Sequence, residues 1–74
     1  MRVTVKLFAS LQAGQFEEQS MEVPEGTAVH GIAALLGIPR SRIGIRLVNG
    51  RHAHADQELA AGDSVSLFPP VGGG

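Results

Sequence analysis

Two strictly alternating segments, one near each end of the chain, most constrain its fold. Residues 2–8 and 64–68 both place apolar side chains at every second position. Alternation with a period of two is typical of strands with one buried face. A chain of 74 residues has room for about one sheet, so we expect both strands to join it. The predicted inward residues are Val3, Val5, Leu7, Val65 and Leu67.

A second strand and one helix are predicted after the first strand. Residues 13–15 form a turn, and the chain returns as a strand over residues 18–23. Thr27 is a candidate N-cap residue for the helix, and Gly37 is its stop signal. Between them, apolar residues recur at the spacing of one helical face. These residues are Val29, Ile32, Ala33 and Leu36.

The second half of the chain predicts a hairpin followed by the last strand. Asn49-Gly50 is a strong hairpin signal between a strand over residues 43–48 and a short strand over residues 51–53. Leu59 is expected to anchor a turn, and Gly62-Asp63 to make the bend before the last strand. Within the third strand we expect Ile43, Ile45 and Leu47 to share a face.

This order of elements indicates an α+β fold. We expect a β-grasp domain over residues 1–71, with a mixed sheet of four to five strands and one helix packed across one face. Pro69-Pro70 should end the sheet, because proline cannot donate to a strand ladder. If the first and last strands are parallel neighbours, Phe8 and Phe68 both lie near this end and point away from the helix.

Composition excludes several classes of function. Six basic and seven acidic residues give a net charge of −1, which provides no electrostatic footprint for nucleic acid or an anionic membrane. The chain has no cysteine and therefore no disulfide, zinc-thiolate site or thiol nucleophile. A long apolar run and a signal peptide are also lacking, so we expect a cytoplasmic protein with no membrane or nucleic-acid partner.

The histidines offer a weak metal hypothesis. His52, His54 and Asp56 alternate, so on an extended strand they would share one face and could hold a metal ion. A polar face beside a hairpin is usually only solvated, and we therefore expect no metal site. His30, on the predicted helix, is interpreted as a surface residue.

The chain closes with three glycines, residues 72–74. Glycine contributes nothing to a core and resists ordering, so we expect a flexible tail. A frayed terminus or a cloning scar would explain such a tail. A slim tail that slides into the active site of another protein would explain it as well.

The final segment resembles the MoaD/ThiS family of sulfur carriers, which are ubiquitin-like β-grasp proteins. The resemblance covers nearly the whole chain and is strongest where the sequence reads L…GD.V.LFPPV.GG. Val48–Arg51 adds the hairpin usual before it. The residues that carry the match are Leu59, Gly62, Asp63, Val65, Leu67, Phe68, Pro69, Pro70, Val71, Gly73 and Gly74.

The resemblance implies chemistry at the Gly74 carboxylate. In the family, an E1-like adenylyltransferase of the MoeB/ThiF type uses ATP to join the terminal carboxylate to AMP. A persulfide sulfur supplied by a sulfurtransferase then displaces AMP and leaves a thiocarboxylate. Gly72 and Gly73 would thread the tail into the partner, since a β-carbon could be rejected by a narrow channel. The chain would be a non-catalytic carrier that binds no cofactor itself.

Three functions remain open under this resemblance. The first is the small subunit of molybdopterin synthase, which donates sulfur in molybdenum cofactor biosynthesis while docked on a MoaE-type large subunit. Pro69-Pro70 favours this function. The second is a carrier for thiazole synthase in thiamine biosynthesis or for another sulfur pathway, which the short segment of residues 38–42 favours. A ubiquitin-like modifier or binding domain is the third. Partner contacts are expected at Phe8, Phe68, Pro69, Pro70 and Val71.

Overall fold

The computed structural model describes residues 1–71 and contains the predicted elements in the predicted order. The tail predicted at residues 72–74 lies outside the described residues. Strands and helices follow one another as β1 (Arg2–Leu7), a 3₁₀ helix (Ala9–Gln12), β2 (Glu18–Glu22), α1 (Val29–Leu35), a second 3₁₀ helix (Arg40–Arg42), β3 (Ile45–Val48), β4 (Arg51–His52) and β5 (Ser64–Phe68).

The strands form one mixed sheet in the order β2-β1-β5-β3-β4. The central strands β1 and β5 are parallel, with Val5 opposite Val65 and Leu7 opposite Leu67. All other neighbours are antiparallel. The predicted pairing of the first and last strands and the α+β β-grasp fold are therefore confirmed.

The core lies between the sheet and α1. All five inward residues predicted in β1 and β5 are buried, and they form one cluster with Val29, Ile32 and Ala33 of the helix. Burying these aliphatic side chains contributes about 1.5–3 kcal/mol each, which makes this layer the main source of stability. The rest of the cluster is Leu11, Val23, Ile38, Ile43, Val48 and Leu59.

The start of α1 differs from the prediction. Ala28, rather than Thr27, is the N-cap residue, and the Thr27 hydroxyl donates to the Pro24 carbonyl at 2.7 Å. The first free N–H groups of the helix donate to the loop after β4: Val29 N–H to the Gln57 carbonyl at 3.0 Å and His30 N–H to the Ala55 carbonyl at 2.8 Å. Backbone carbonyls from a distant loop thus replace the expected side-chain cap.

His30 is also more than a surface residue. Its side chain is half-buried, and Nδ1 lies 2.7 Å from the Ala55 carbonyl oxygen, so Nδ1–H donates to it. The surface interpretation is wrong because the loop after β4 folds back over the start of α1.

The helix ends as predicted at Gly37, with φ +71°. Gly37 N–H donates to the Ala34 carbonyl, and Ile38 N–H donates to the Ala33 carbonyl.

The third strand starts later than predicted, and one of the three residues expected to share a face does not do so. It begins at Ile45, and Ile43 is buried in the core before the strand starts. Ile45 and Leu47 stand opposite Phe68 and Ser66, so they lie on the outer face of the sheet, away from α1. Val48 is the inward residue, opposite Val65. Ile43 therefore does not share a face with Ile45 and Leu47, because the chain at Gly44 interrupts the alternation.

The hairpin after β3 is confirmed, although β4 is shorter than predicted. Asn49 and Gly50 have φ values of +52° and +82°, the two positive values that a type I′ turn requires. Strand β4 ends at His52, one residue before the predicted end. The short 3₁₀ helix between β1 and β2 was not predicted, and it buries Leu11 under the sheet end.

Candidate functional site

The site is built where β5 ends and the chain leaves the sheet. The Phe68 carbonyl accepts the Gly44 N–H at 2.8 Å, and the Leu67 carbonyl accepts the Phe8 N–H at 3.1 Å. These are the last ladder bonds of the strand, because Pro69 and Pro70 have no N–H to donate. The paired prolines therefore end the sheet as predicted, and the chain leaves it through residues 69–71.

Phe8 and Phe68 lie together at this exit. Their ring centroids are 4.2 Å apart and their planes differ by 10°, which is a stacked arrangement. Both residues are half-buried, and they stand on the outer face of the parallel β1–β5 pair. The sequence therefore predicted correctly that the two rings lie near the tail and point away from α1. Whether they contact a partner is untested.

Two aliphatic residues of β3 extend the aromatic pair. Ile45 is directly opposite Phe68, and Leu47 stands two residues further along the same face. Both are half-buried although α1 does not cover this face. We call the set Phe8, Phe68, Ile45 and Leu47 the outer patch. The sequence analysis correctly grouped Ile45 and Leu47 on one face, but it missed their contribution because it did not assign that face to either side of the sheet.

Gly44 is a further residue that the sequence analysis missed. A β-carbon built on Gly44 would lie 2.6 Å from Pro70 Cα and 2.9 Å from both the Pro69 carbonyl oxygen and Pro70 N. The backbones of residues 44 and 69–70 thus cross in a contact that only glycine permits. A glycine at the edge of a predicted strand is a known signal for such close approach, and this one could have been identified.

The tail begins beyond this crossing. Pro69 is half-buried and Pro70 is exposed, while Val71 is 84% exposed. The structure thus groups the predicted interface residues at one end of the sheet. Gly72, Gly73 and Gly74, predicted to thread and to react, lie outside the described residues.

The metal hypothesis for His52, His54 and Asp56 required one extended strand. The strand ends at His52, and Asp56 lies in the turn that follows, so the common face is not formed. Among residues 1–71, no group of three or more histidine, aspartate or glutamate side chains is placed to hold a metal ion.

At the opposite end of β5, Asp63 joins the bend to the hairpin. Its carboxylate accepts the Ala60 N–H at 2.8 Å and the Asn49 side-chain amide at 2.9 Å, and Asn49 Oδ1 accepts the Ser64 N–H. The hydrogen bond from Ala60, together with that from Asn49, holds the pKa of the Asp63 carboxyl below its usual value of 3.8. This polar contact fixes the start of β5, far from the exit.

Comparison with known proteins establishes the family. The ThiS family model matches residues 5–74, which include the second half of β1, all of β5 and the exit described above. The chain belongs to the ThiS family. The resemblance to MoaD/ThiS ubiquitin-like sulfur carriers is thereby confirmed, and small carriers of this family are generally non-catalytic.

Solved structures give the same fold. SAMP1 (small archaeal modifier protein 1) of Haloferax volcanii is 32% identical over 100% of both chains, with a TM-score of 0.75. A putative molybdopterin converting factor subunit 1 of Pyrococcus furiosus is 32% identical over 96% of this chain and 99% of that one, with a TM-score of 0.77. No curated protein matches the chain significantly.

A more distant structure shares the fold alone. In the complex of subunits 1 and 2 of the molybdopterin-converting factor of Helicobacter pylori, the matched chain is 22% identical over 100% of both chains, with a TM-score of 0.67.

No helix within residues 1–71 is long and apolar enough to cross a membrane. The cytoplasmic location stays a prediction.

Proposed function

We propose that this ThiS-family protein carries sulfur as a thiocarboxylate at Gly74 and donates it in molybdenum cofactor biosynthesis. The observation that carries the proposal is the exit of β5, where paired prolines lead the chain away beside a stacked, outward-facing Phe8–Phe68 pair. The 32% identity with a putative molybdopterin converting factor subunit supports the pathway.

The first chemical step is activation of the Gly74 carboxylate. A carboxylate is a poor acyl donor, because its charge is delocalised and an oxide anion is a bad leaving group. A partner adenylyltransferase would transfer AMP from ATP to a carboxylate oxygen and release pyrophosphate. The product is an acyl adenylate whose leaving group is AMP.

Sulfur then replaces oxygen. A persulfide on a sulfurtransferase attacks the acyl carbon and releases AMP, which leaves an acyl disulfide. In this disulfide, the sulfur bonded to the acyl carbon is the one to be carried, and the other belongs to the sulfurtransferase cysteine. A thiol attacks the cysteine sulfur, forms a new disulfide with it and releases the thiocarboxylate on Gly74. The carrier needs no cysteine for these steps, because the persulfide supplies the sulfur. The chain, which has no cysteine, is compatible with this chemistry. The acceptor would then be a pterin precursor held by a MoaE-type large subunit.

The outer patch would supply recognition for these partners. Its four apolar residues lie beside the exit, and Val71 extends the apolar surface towards the tail. Aromatic residues at the centre of an interface contribute much of the binding free energy. A partner that binds the patch would therefore receive the tail at a fixed distance from its own active site.

Mass spectrometry of the intact protein from its native host tests the proposal. A mass increase of about 16 Da, the difference between sulfur and oxygen, at the carboxyl end of a chain that terminates with Gly74 is expected. In ATP–pyrophosphate exchange with the activating enzyme, a variant lacking Gly74 should lose exchange while its circular dichroism stays unchanged. Normal exchange by that variant would contradict the mechanism.

A second candidate function is protein modification, favoured by the 32% identity with SAMP1 over the full length of both chains. Here a lysine amine of a target, rather than a persulfide, would attack the acyl adenylate and form an isopeptide bond. Larger species linked through Gly74 in the native host would support this function. Sulfur-loaded protein that restores thiazole rather than molybdopterin synthesis would assign the thiamine pathway.

A further inference from the structure

We propose that Gly44 is a positioning residue for the reactive tail, because its missing side chain lets Pro69 and Pro70 lie directly on the backbone and sets the direction in which the chain leaves. This inference rests on the proposed activation of Gly74. It concerns a residue outside the tail, on the strand-like segment before β3.

Backbone conformation does not explain why residue 44 is glycine. Five glycines in residues 1–71 have positive φ values, which other residues rarely adopt: Gly14, Gly26, Gly37, Gly50 and Gly62. Gly44 is not among them. An alanine at residue 44 could adopt the same φ, so the requirement for glycine comes from the space around it.

The space at Gly44 is closed by backbone. The nearest atoms to an added β-carbon are Pro70 Cα, the Pro69 carbonyl oxygen and Pro70 N, at 2.6–2.9 Å. A flexible side chain could move aside at little cost, but these atoms belong to the main chain of the exit itself. An alanine at residue 44 must therefore push residues 69–70 away from β3.

Both sides of the crossing are held in place. Gly44 N–H donates to the Phe68 carbonyl, the last acceptor before the prolines. Arg42 Nη2 donates to the Ser10 carbonyl at 3.1 Å, which ties the segment before Gly44 to the 3₁₀ helix after β1. The fixed φ of each proline limits how the displaced segment could rotate back. A shift at residue 44 would thus be passed through residues 69–70 to the point at which the tail starts.

Misdirection of the tail should affect catalysis by the partner more than docking. The outer patch is held by the pairing of β1, β3 and β5 rather than by residues 69–70, so a partner should still bind it. The reacting carboxylate would arrive displaced, and displacement by about 1 Å can cost on the order of a hundredfold in rate. We expect Gly44→Ala to lower kcat for adenylation at least about tenfold, with KM within about twofold of the wild type.

ATP–pyrophosphate exchange with the activating enzyme tests this expectation on the full chain. Gly31→Ala is the matched control: Gly31 lies in α1, its φ is ordinary, and its added β-carbon would meet only Thr27 Cγ2, at 3.0 Å. The control should retain wild-type kcat and KM. Unchanged kcat for Gly44→Ala, or a raised KM with unchanged kcat, would overturn the proposal.

A second variant covers the case in which Gly44→Ala does not fold. Pro70→Gly keeps residue 44 as glycine and releases the restraint on the exit, and it should lower kcat in the same way while the protein stays folded, with a melting temperature lower by only a few degrees. Wild-type kcat in this variant would also overturn the proposal. In solution, nuclear Overhauser effects between the Gly44 and Pro70 α-protons should be strong, and their absence would contradict the close contact without any partner.

The assay separates this inference from the proposed function. If wild-type protein supports no exchange, the proposed activation of Gly74 fails, whereas the nuclear Overhauser effects still report the crossing. If the wild type is active and Gly44→Ala is equally active, the activation stands and only the role of Gly44 fails.

Discussion

The two faces of the sheet carry apolar residues of different kinds and for different reasons. The inner face consists of aliphatic residues of β1 and β5 that are essentially excluded from solvent, such as Val5 and Val65 at 0% exposure. The outer patch has stacked aromatic rings and two aliphatic side chains that remain half-buried with no helix above them. The contrast indicates that the inner face contributes most of the stability, while the outer patch is the surface that we propose for partners.

The largest expected effect is on the inner face. Val65→Asp would place an unpaired charge in the central strand β5 and should cost about 4 kcal/mol or more, enough to unfold a domain of this size. Ser66→Asp is the matched control, because residue 66 is on the outer face opposite Lys6 and should remain folded. If urea denaturation gave the same loss of unfolding free energy for both variants, the two faces would not differ in their contribution to stability.

The next effect concerns the outer patch. Phe68→Ala and Phe8→Ala should each weaken binding to the activating enzyme by about thirtyfold, or about 2 kcal/mol. The free energy of unfolding should fall by only about 1 kcal/mol, chiefly through loss of the stacking contact, whereas a core phenylalanine would cost about 3–5 kcal/mol.

Calorimetric titration and thermal melts measure both quantities for the same variants. Leu35→Ala is a suitable control, since Leu35 is 60% exposed on α1. This substitution should change neither the affinity for the activating enzyme nor the free energy of unfolding. A large loss of stability with unchanged affinity would assign the rings to the core and remove the docking role.

A moderate effect on the free energy of unfolding is expected at Asp63, in the bend before β5 and away from the outer patch. Asp63→Asn replaces an acceptor with an amide that cannot accept from both Ala60 and Asn49, and it should lower stability by about 1 kcal/mol without changing partner affinity. This variant is a control of similar stability for the phenylalanine variants. Weakened binding in Asp63→Asn would mean that reduced stability alone explains the loss seen with the rings.

The Asp63 effect should depend on pH. Its folded pKa is lowered, so its contribution is present above the ordinary value of 3.8 and is lost as the pH falls below that value through the folded pKa. The difference in melting temperature between wild type and Asp63→Asn should therefore be largest near neutral pH and shrink below pH 3.8.

How much of this was predictable from sequence depends on the signals in each segment. Strands β1 and β5 were predicted correctly because all their aliphatic residues fall in one phase, while the other phase is polar except for Phe68 at the end of β5. In β3 both phases contain aliphatic residues, Ile45 and Leu47 on one face and Val48 on the other, so alternation could not choose between them. The choice is made by pairing with β5, a long-range contact.

The start of α1 and the exit from β5 also depend on long-range contacts that the sequence alone could not predict. Thr27 has the right chemistry for an N-cap, but carbonyls from the loop after β4 satisfy the helix instead, and their position depends on the completed fold. Phe8 and Phe68 could be placed near the exit because one parallel pairing fixes both. The contact of Gly44 with Pro69 and Pro70 depends on two strands that are distant in sequence, and only the glycine at a strand edge hinted at it.

The smallest expected effect concerns the backbone next to the outer patch. Ala9 follows Phe8 with φ +52°, a left-handed conformation that costs a residue with a β-carbon about 1 kcal/mol. Ala9→Gly removes this strain but adds backbone entropy to the unfolded chain, so a net gain of about 0.5 kcal/mol, or about 2–4 °C in melting temperature, is expected.

The matched control for this change is Ala13→Gly, at an exposed position with φ −60°. That variant has no strain to relieve and should lose about 0.5 kcal/mol, so the two alanine-to-glycine changes should have opposite signs. Affinity for the activating enzyme should stay at the wild-type value in both, since pairing with β5, rather than Ala9, holds Phe8 on the outer face. A stabilised Ala9→Gly variant with weakened binding would show instead that the strain at Ala9 orients Phe8 for its partner.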